Sequence, residues 1–266
     1  MLAHTDTGAG AETVVFGHGL LFGGWMFRAQ VEALRRRYRC VAVDWPAHGD
    51  TPAGPCDMDT LTARAADLIR RVGAPVHWVG LSMGGFVGLR LAARHPELLR
   101  SLVLLDTSAD AEVPATAREH RRLALVQRWV GIGPIAGRVA PVVFGRDFLA
   151  DPVNGPVVGE WVRRLADGDR AGIRRAVRAV ADRDPVAAEL GRIDLPTLVV
   201  VGADDVATPP DLARRIVAGI PGARLEVLRS CGHSSSLEQP QAVTDLLADF
   251  LGSVPTSARR SGARDQ

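Results

Sequence analysis

The sequence predicts an α/β fold with a mostly parallel central sheet flanked by helices, and three observations carry that prediction. Apolar runs of four to six residues recur along the chain with amphipathic helical stretches between them. Continuous rather than alternating apolar runs are what strands buried on both faces require. The rhythm stops between about Ala111 and Ala188, where only helical, arginine-rich segments occur, and resumes after Pro196. Finally, 266 residues that are 47% hydrophobic suffice for a large core, as one large domain or two small ones.

The elements follow in order. Thr13–Phe16 is a short strand stopped by Gly17, and Phe27, Val31 and Leu34 give residues 27–37 a helical stripe. Cys40–Val43 is the next strand, ending at Asp44, and Leu61, Ala65, Leu68, Ile69 and Val72 mark a second helix. Val76–Leu81 is a strand, and Met83–Arg94 a helix with few breakers. Leu102–Leu105, Leu198–Val201 and Leu225–Leu228 complete the strand set. In such a sheet, ligand chemistry is expected at the carboxyl ends of the strands.

The stretch 111–188, broken by Gly131, Gly133, Pro134, Pro141, Pro152 and Pro156, is too long for a connecting loop. It reads as a helical lid inserted into a core domain made of 1–110 and 189–251. Residues 252–266 have no periodicity and are expected to be disordered.

Composition excludes several functions. All 32 basic residues are arginine, so no lysine is present to form a Schiff base or to serve a phosphate-binding loop. A formal net charge of +2 gives no electrostatic case for a nucleic-acid partner. No apolar stretch approaches the ~20 residues that span a bilayer, so no membrane partner is expected. Cys40, Cys56 and Cys231 form neither a disulfide framework nor a metal-ligand spacing. The polar, glycine-rich segment Met1–Glu12 lacks the features of a signal peptide. A cytoplasmic location is the resulting expectation. Monomer and dimer remain equally open.

Gly80-Leu81-Ser82-Met83-Gly84 carries the chemistry. A strand that turns directly into a helix forces its central serine into a strained conformation, and the flanking glycines remove side chains that would clash. The hydroxyl then stands above the sheet, close to helix N-terminal amides. A serine nucleophile needs a base, and the base an orienting acid. Of seven histidines, His233 is the best placed, in the loop after the last strand. His48 is a second candidate, whereas His18 reads as structural, His77 as packed, and His95 and His120 as helix-surface residues. For the acid, Asp204, Asp205 and Asp106 each follow a strand. The loop Gly17-His18-Gly19-Leu20 follows the first clear strand, so the N–H groups of Leu20 and Met83 are the expected oxyanion donors.

Over roughly residues 1–251 the sequence resembles the α/β-hydrolase superfamily. The resemblance rests on His18-Gly19, Gly80–Gly85, Gly202-Ala203-Asp204-Asp205 and Gly232-His233. It implies Asp205, the last residue of the G-x-x-D stretch, as the acid. It is nearest to small lid-bearing bacterial hydrolases such as 3-oxoadipate enol-lactonases, which share Gly-Leu-Ser-Met-Gly-Gly and the stretch matching Gly202–Pro210. Two departures are visible. Only Leu2–Thr5 remains ahead of Thr13 as a strand, so the family's usual first strand is missing. The stretch Asp44–Thr51 lacks the family's arginine-glycine pair, which implies a differently shaped wall near the site.

The expected activity is cofactor- and metal-independent hydrolysis of a small to medium hydrophobic ester or lactone through an acyl-serine. The same triad also serves perhydrolysis of the haloperoxidase type and C–C bond hydrolysis, and a ligand sensor with slow turnover is the alternative from another class. Phe22, Trp25, Trp129, Phe144 and Trp161 are the candidate pocket residues.

Overall fold

The computed structural model describes residues 1–255. Its sheet has seven strands: β1 (His4–Asp6), β2 (Thr13–Gly17), β3 (Arg39–Val43), β4 (Val76–Leu81), β5 (Leu99–Leu105), β6 (Thr197–Gly202) and β7 (Arg224–Leu228). Their spatial order is β1-β3-β2-β4-β5-β6-β7. β1 runs antiparallel to β3 and every other pairing is parallel. β2, β4 and β6 are buried along their whole length, while β7 at the edge is not. That difference is why the inner strands are unbroken apolar runs.

Five α-helices flank the sheet in two groups. α2 (Met58–Val72), α3 (Met83–Arg94) and α9 (Pro210–Gly219) share one apolar core that includes Leu61, Val87 and Ile216. α1 (Arg28–Leu34) and α11 (Pro240–Ser253) share the other, with Phe27, Leu34, Leu247 and Phe250. Between β5 and β6 the chain forms α4 (Pro114–Val130), α5 (Ala136–Val143), α6 (Arg146–Ala150), α7 (Gly155–Ala166) and α8 (Arg170–Ala181), and no strand. A short α10 (Ser235–Glu238) precedes α11.

Two sequence expectations change at the edges. The N-terminal strand is His4–Asp6 rather than Leu2–Thr5, because Leu2 is buried in the core while His4 begins the pairing with Val43. At the other end the helix continues to Ser253 and Val254 packs in the core. The disordered tail expected from 252 therefore starts too early, and its remainder, 256–266, lies outside the described residues.

The register sets the site. Gly17 pairs with Gly80, Leu81 with Leu105, and Leu105 with Val200. The strands end within two residues of one another, so His18, Ser82, Asp106 and Ala203 emerge at the same edge of the sheet. From β2 the chain crosses first to β3 on one side and then to β4 on the other. The crevice at this reversal of strand order is where open α/β sheets bind ligands, and Ser82 and the His18 loop flank it.

Candidate active site

Ser82 links β4 directly to α3 at φ 51°, ψ −110°. Such backbone costs a serine roughly 1–3 kcal/mol and persists only where its surroundings fix it. The fixing contacts are explicit. Ser82 N donates to Leu105 O at 2.9 Å, and the Ser82 carbonyl accepts from Thr107 Oγ1 at 2.9 Å. Gly84 N donates to His18 O at 3.1 Å, and Trp78 Nε1 donates to Gly84 O at 3.0 Å. A Cβ on Gly84 would strike the Gly17 carbonyl, and one on Gly80 the Gly84 carbonyl. The glycines of the motif are therefore required by close backbone approach.

Asp205 and His233 meet across the ends of β6 and β7. His233 Nδ1 lies 2.9 Å from Asp205 Oδ2. The carboxylate also accepts from Ala207 N at 2.8 Å, Thr208 N at 2.9 Å and Thr208 Oγ1 at 2.8 Å. With Nδ1–H donated to a fixed carboxylate, Nε2 keeps its lone pair, the tautomer a general base needs. Burial opposes a charge on His233, but the Asp205 charge and hydrogen bond outweigh it and raise its pKa. Ser82 and His233, each 7% exposed, line one cavity of about 110 Å³.

Glu238, which carries no local sequence signal, holds the histidine loop. Its carboxylate accepts from Gly232 N (2.8 Å), Ser234 N (3.0 Å) and Gly145 N (3.1 Å). Ser234 Oγ donates to Val143 O at 2.6 Å. The loop bearing His233 is thus tied to the end of α5, inside the insertion. Only a fold that closes on itself brings residues 145, 232 and 238 together, so no local spacing signals it.

The other titratable candidates sit elsewhere. Asp106 accepts from Gly202 N at 2.9 Å and Ser235 N at 3.2 Å, joining the acid and histidine loops, and forms no hydrogen bond with His233 among the described residues. Burial, with the neighbouring Asp205 charge, raises its pKa to about 8. His18 Nε2 accepts from Trp45 N at 3.0 Å, leaving Nδ1–H to donate to Gly19 O at 2.7 Å. His48 Nε2 accepts from Leu21 N at 3.2 Å, and its Nδ1–H donates to Pro46 O at 3.0 Å. Burial lowers the pKa of both to about 3, so both are neutral ties within the loop that carries Leu20. Asp204 is exposed. Leu20 N–H and Met83 N–H donate to no group among the described residues, and Leu20 lines the cavity beside Ser82.

The aromatic pocket expectation requires correction, because none of its five residues lines the cavity over Ser82. Phe22, Phe144 and Trp161 pack on one another, with Phe144 edge-on to Phe22 at 5.9 Å and to Trp161 at 5.6 Å. Trp25 packs against Phe22 at 6.0 Å and lies under the Arg28 and Arg164 guanidiniums. Trp129 is 72% exposed, with Arg128 over its ring. Large aromatic side chains gain most by burying area against one another, and core packing won over the site. The cavity wall is aliphatic instead, with Ile135, Val139, Ile173 and Val177 from the insertion.

Two polar wall residues were also missed. His120, expected on a helix surface, and Gln127 both line this cavity from α4. A larger polar depression of about 430 Å³ lies beyond Leu21 and Ile173, bounded by Trp25, His48 and Arg164. Ala47–Thr51, within the stretch that departs from the family pattern, forms part of its wall. Among the described residues no three His, Cys, Asp or Glu side chains converge as metal donors, and no helix is long and apolar enough to cross a membrane.

Comparison with known proteins places the chain among hydrolases. The chain is 31% identical over 245 residues to a pimeloyl-(acyl-carrier protein) methyl ester esterase of Neisseria meningitidis, covering 88% of this chain and 93% of that one. It is 30% identical over 232 residues to 3-oxoadipate enol-lactonase 2 of Acinetobacter baylyi, covering 86% and 84%. The solved structure of a thermophilic esterase from Thermogutta terrifontis superposes with a TM-score of 0.88 at 28% identity, covering 96% and 94%. A family model described as the alpha/beta hydrolase family matches residues 14–246, nearly the full sheet and both helix layers, and the chain belongs to that family.

Proposed function

We propose that this enzyme hydrolyses a carboxylic ester or lactone of a small to medium hydrophobic substrate through an acyl-serine, without metal or cofactor. The observation that carries this reading is a strained serine sharing a mostly apolar cavity with a histidine that is tautomer-locked by a buried aspartate. Esterase and enol-lactonase names among the relatives support the same bond type.

Ser82 Oγ attacks the carbonyl carbon as His233 Nε2 takes its proton. Asp205 stabilises the imidazolium through the 2.9 Å contact. Negative charge on the former carbonyl oxygen falls between Leu20 N–H and Met83 N–H, which have no other acceptor among the described residues. Preorganised donors of this kind are worth about 2.7–4 kcal/mol each. His233 then protonates the departing alkoxide. Water enters, His233 deprotonates it, and collapse of the second tetrahedral intermediate frees the acid and Ser82.

Residues 111–188 act as the lid in this reading. Their aliphatic face supplies the acyl pocket, and the Ser234–Val143 and Glu238–Gly145 contacts couple lid position to the histidine loop. The three free cysteines fit a reducing, cytoplasmic setting and a small-molecule substrate. The test is turnover of p-nitrophenyl esters and small lactones, with Ser82→Ala alongside. Equal rates for the wild type and Ser82→Ala would falsify the serine mechanism.

A further inference from the structure

The cavity over Ser82 is aliphatic except for the catalytic pair and two side chains of one helix. His120 and Gln127 face inward from α4 with Leu123 and Ala124 between them, one stripe at helical spacing. Seven residues place them about 10 Å apart along the helix axis. His120 stands at the catalytic end. Burial lowers its pKa. Gln127, about two helical turns further along α4, lines the same cavity and is 4% exposed.

Gln127 Oε1 has no hydrogen-bond partner among the described residues. An unpaired buried amide oxygen is costly, and leucine or methionine would fill this volume without that cost. No arginine, aspartate or glutamate lines the cavity. A carboxylate brought here would lose its water and find no cation. The buried Arg183 of the insertion is occupied elsewhere, paired with Glu112 at 2.9 Å and lying over the Phe86 ring.

We propose that Gln127 is the specificity-determining residue of the acyl pocket, accepting a hydrogen bond from an uncharged donor at the far end of the substrate's apolar acyl chain. The donor is a hydroxyl or an amide N–H. The preferred substrate is then an ester or lactone whose acyl chain ends in a neutral polar group, and acyl groups ending in a free carboxylate are rejected. This rests on the serine-hydrolase reading above. It adds the chemistry of the acyl chain, which the triad leaves open.

The experiment compares p-nitrophenyl esters of short- to medium-chain acids in four series: unsubstituted, ω-hydroxy, ω-methoxy and ω-carboxy. At the best chain length, kcat/KM for the ω-hydroxy ester should exceed that for the ω-methoxy ester about tenfold and that for the ω-carboxy ester about a hundredfold. Gln127→Leu should lower the ratio of ω-hydroxy to unsubstituted kcat/KM about tenfold. Gln127→Met, nearly isosteric, gives the same ratio if the leucine variant does not fold. A ratio unchanged from wild type in the folded variants overturns the proposal. So does a wild type that hydrolyses ω-hydroxy and ω-methoxy esters equally, since the methoxy group cannot donate. Turnover without these preferences removes only this inference, whereas no turnover of any ester removes the hydrolase reading and this proposal with it.

Discussion

The carboxyl ends of the strands and the helical insertion between β5 and β6 both face the same cavity, yet they are built on different principles. At the strand ends, position is set by the main chain. The Ser82 turn is bound by Leu105, Thr107 and His18, and glycines at 80 and 84 admit backbone where no Cβ fits. In the insertion, position is set by side-chain packing, as in the Phe22–Phe144–Trp161 cluster that closes it against the core. Backbone approach tolerates almost no substitution, whereas packing tolerates any set of apolar residues of suitable volume. In the proposed mechanism the chemistry therefore rests on the rigid region and the choice of substrate on the adaptable one.

This contrast can be broken by experiment, and the largest effects belong at the strand ends. Ser82→Ala should reduce kcat by about 10⁶-fold with little change in melting temperature. Retained ester turnover would place the nucleophile elsewhere. Asp205→Asn should reduce kcat by about 10⁴-fold, because the amide no longer fixes the Nδ1–H tautomer. A loss of tenfold or less would point instead to Asp106, which bridges the same loops.

Stability should follow the opposite geography. Trp161→Ala, at a fully buried site in the aromatic cluster, should cost about 3–5 kcal/mol in chemical denaturation. Trp129→Ala, on the exposed face of α4, should cost no more than about 0.5 kcal/mol and leave ester turnover near that of the wild type. If Trp129→Ala lowered kcat/KM substantially, the aliphatic wall would not be the working pocket.

The pH profile gives the smallest effect and the sharpest sign. His233 acts only when neutral, so activity falls as pH drops through its pKa. Asp205 raises that pKa despite burial, so the acid limb of kcat/KM should lie above the ordinary histidine value of ~6.5. In Asp205→Asn the residual activity should keep its acid limb at lower pH. An unshifted limb in that variant would mean that Asp205 does not control His233. His18 and His48 remain neutral at any pH in this range, with pKa values of about 3, and should leave the profile unaffected.

The strand-end half was legible because the Ser82 turn carries a local signature. Gly80–Gly84 encodes a strand-turn-helix, and β4 and α3 have the ranges read from the sequence, Val76–Leu81 and Met83–Arg94. The insertion was legible only as helical. Its cavity lining was not legible, because Phe144 and Trp161 pack against Phe22 while α4 turns Trp129 outward and His120 and Gln127 inward. Glu238 was equally hidden, since its partners at 145, 232 and 234 are brought together by the closure of the fold.

The sequence by itself determined the α/β class, the turn that exposes Ser82 and the set of titratable residues at the strand ends. These depend on local steric rules and on the short-range periodicity of apolar residues. Tertiary structure decided that Asp205 rather than Asp106 meets His233, and that His18 and His48 serve as neutral ties. It also decided that the cavity is walled by aliphatic side chains with one unpaired amide, not by aromatics. The physical reason is that these outcomes depend on which surfaces close on one another, and burial of area is non-directional. Composition supplies the apolar atoms, and only the closed fold assigns them to core, cavity or solvent.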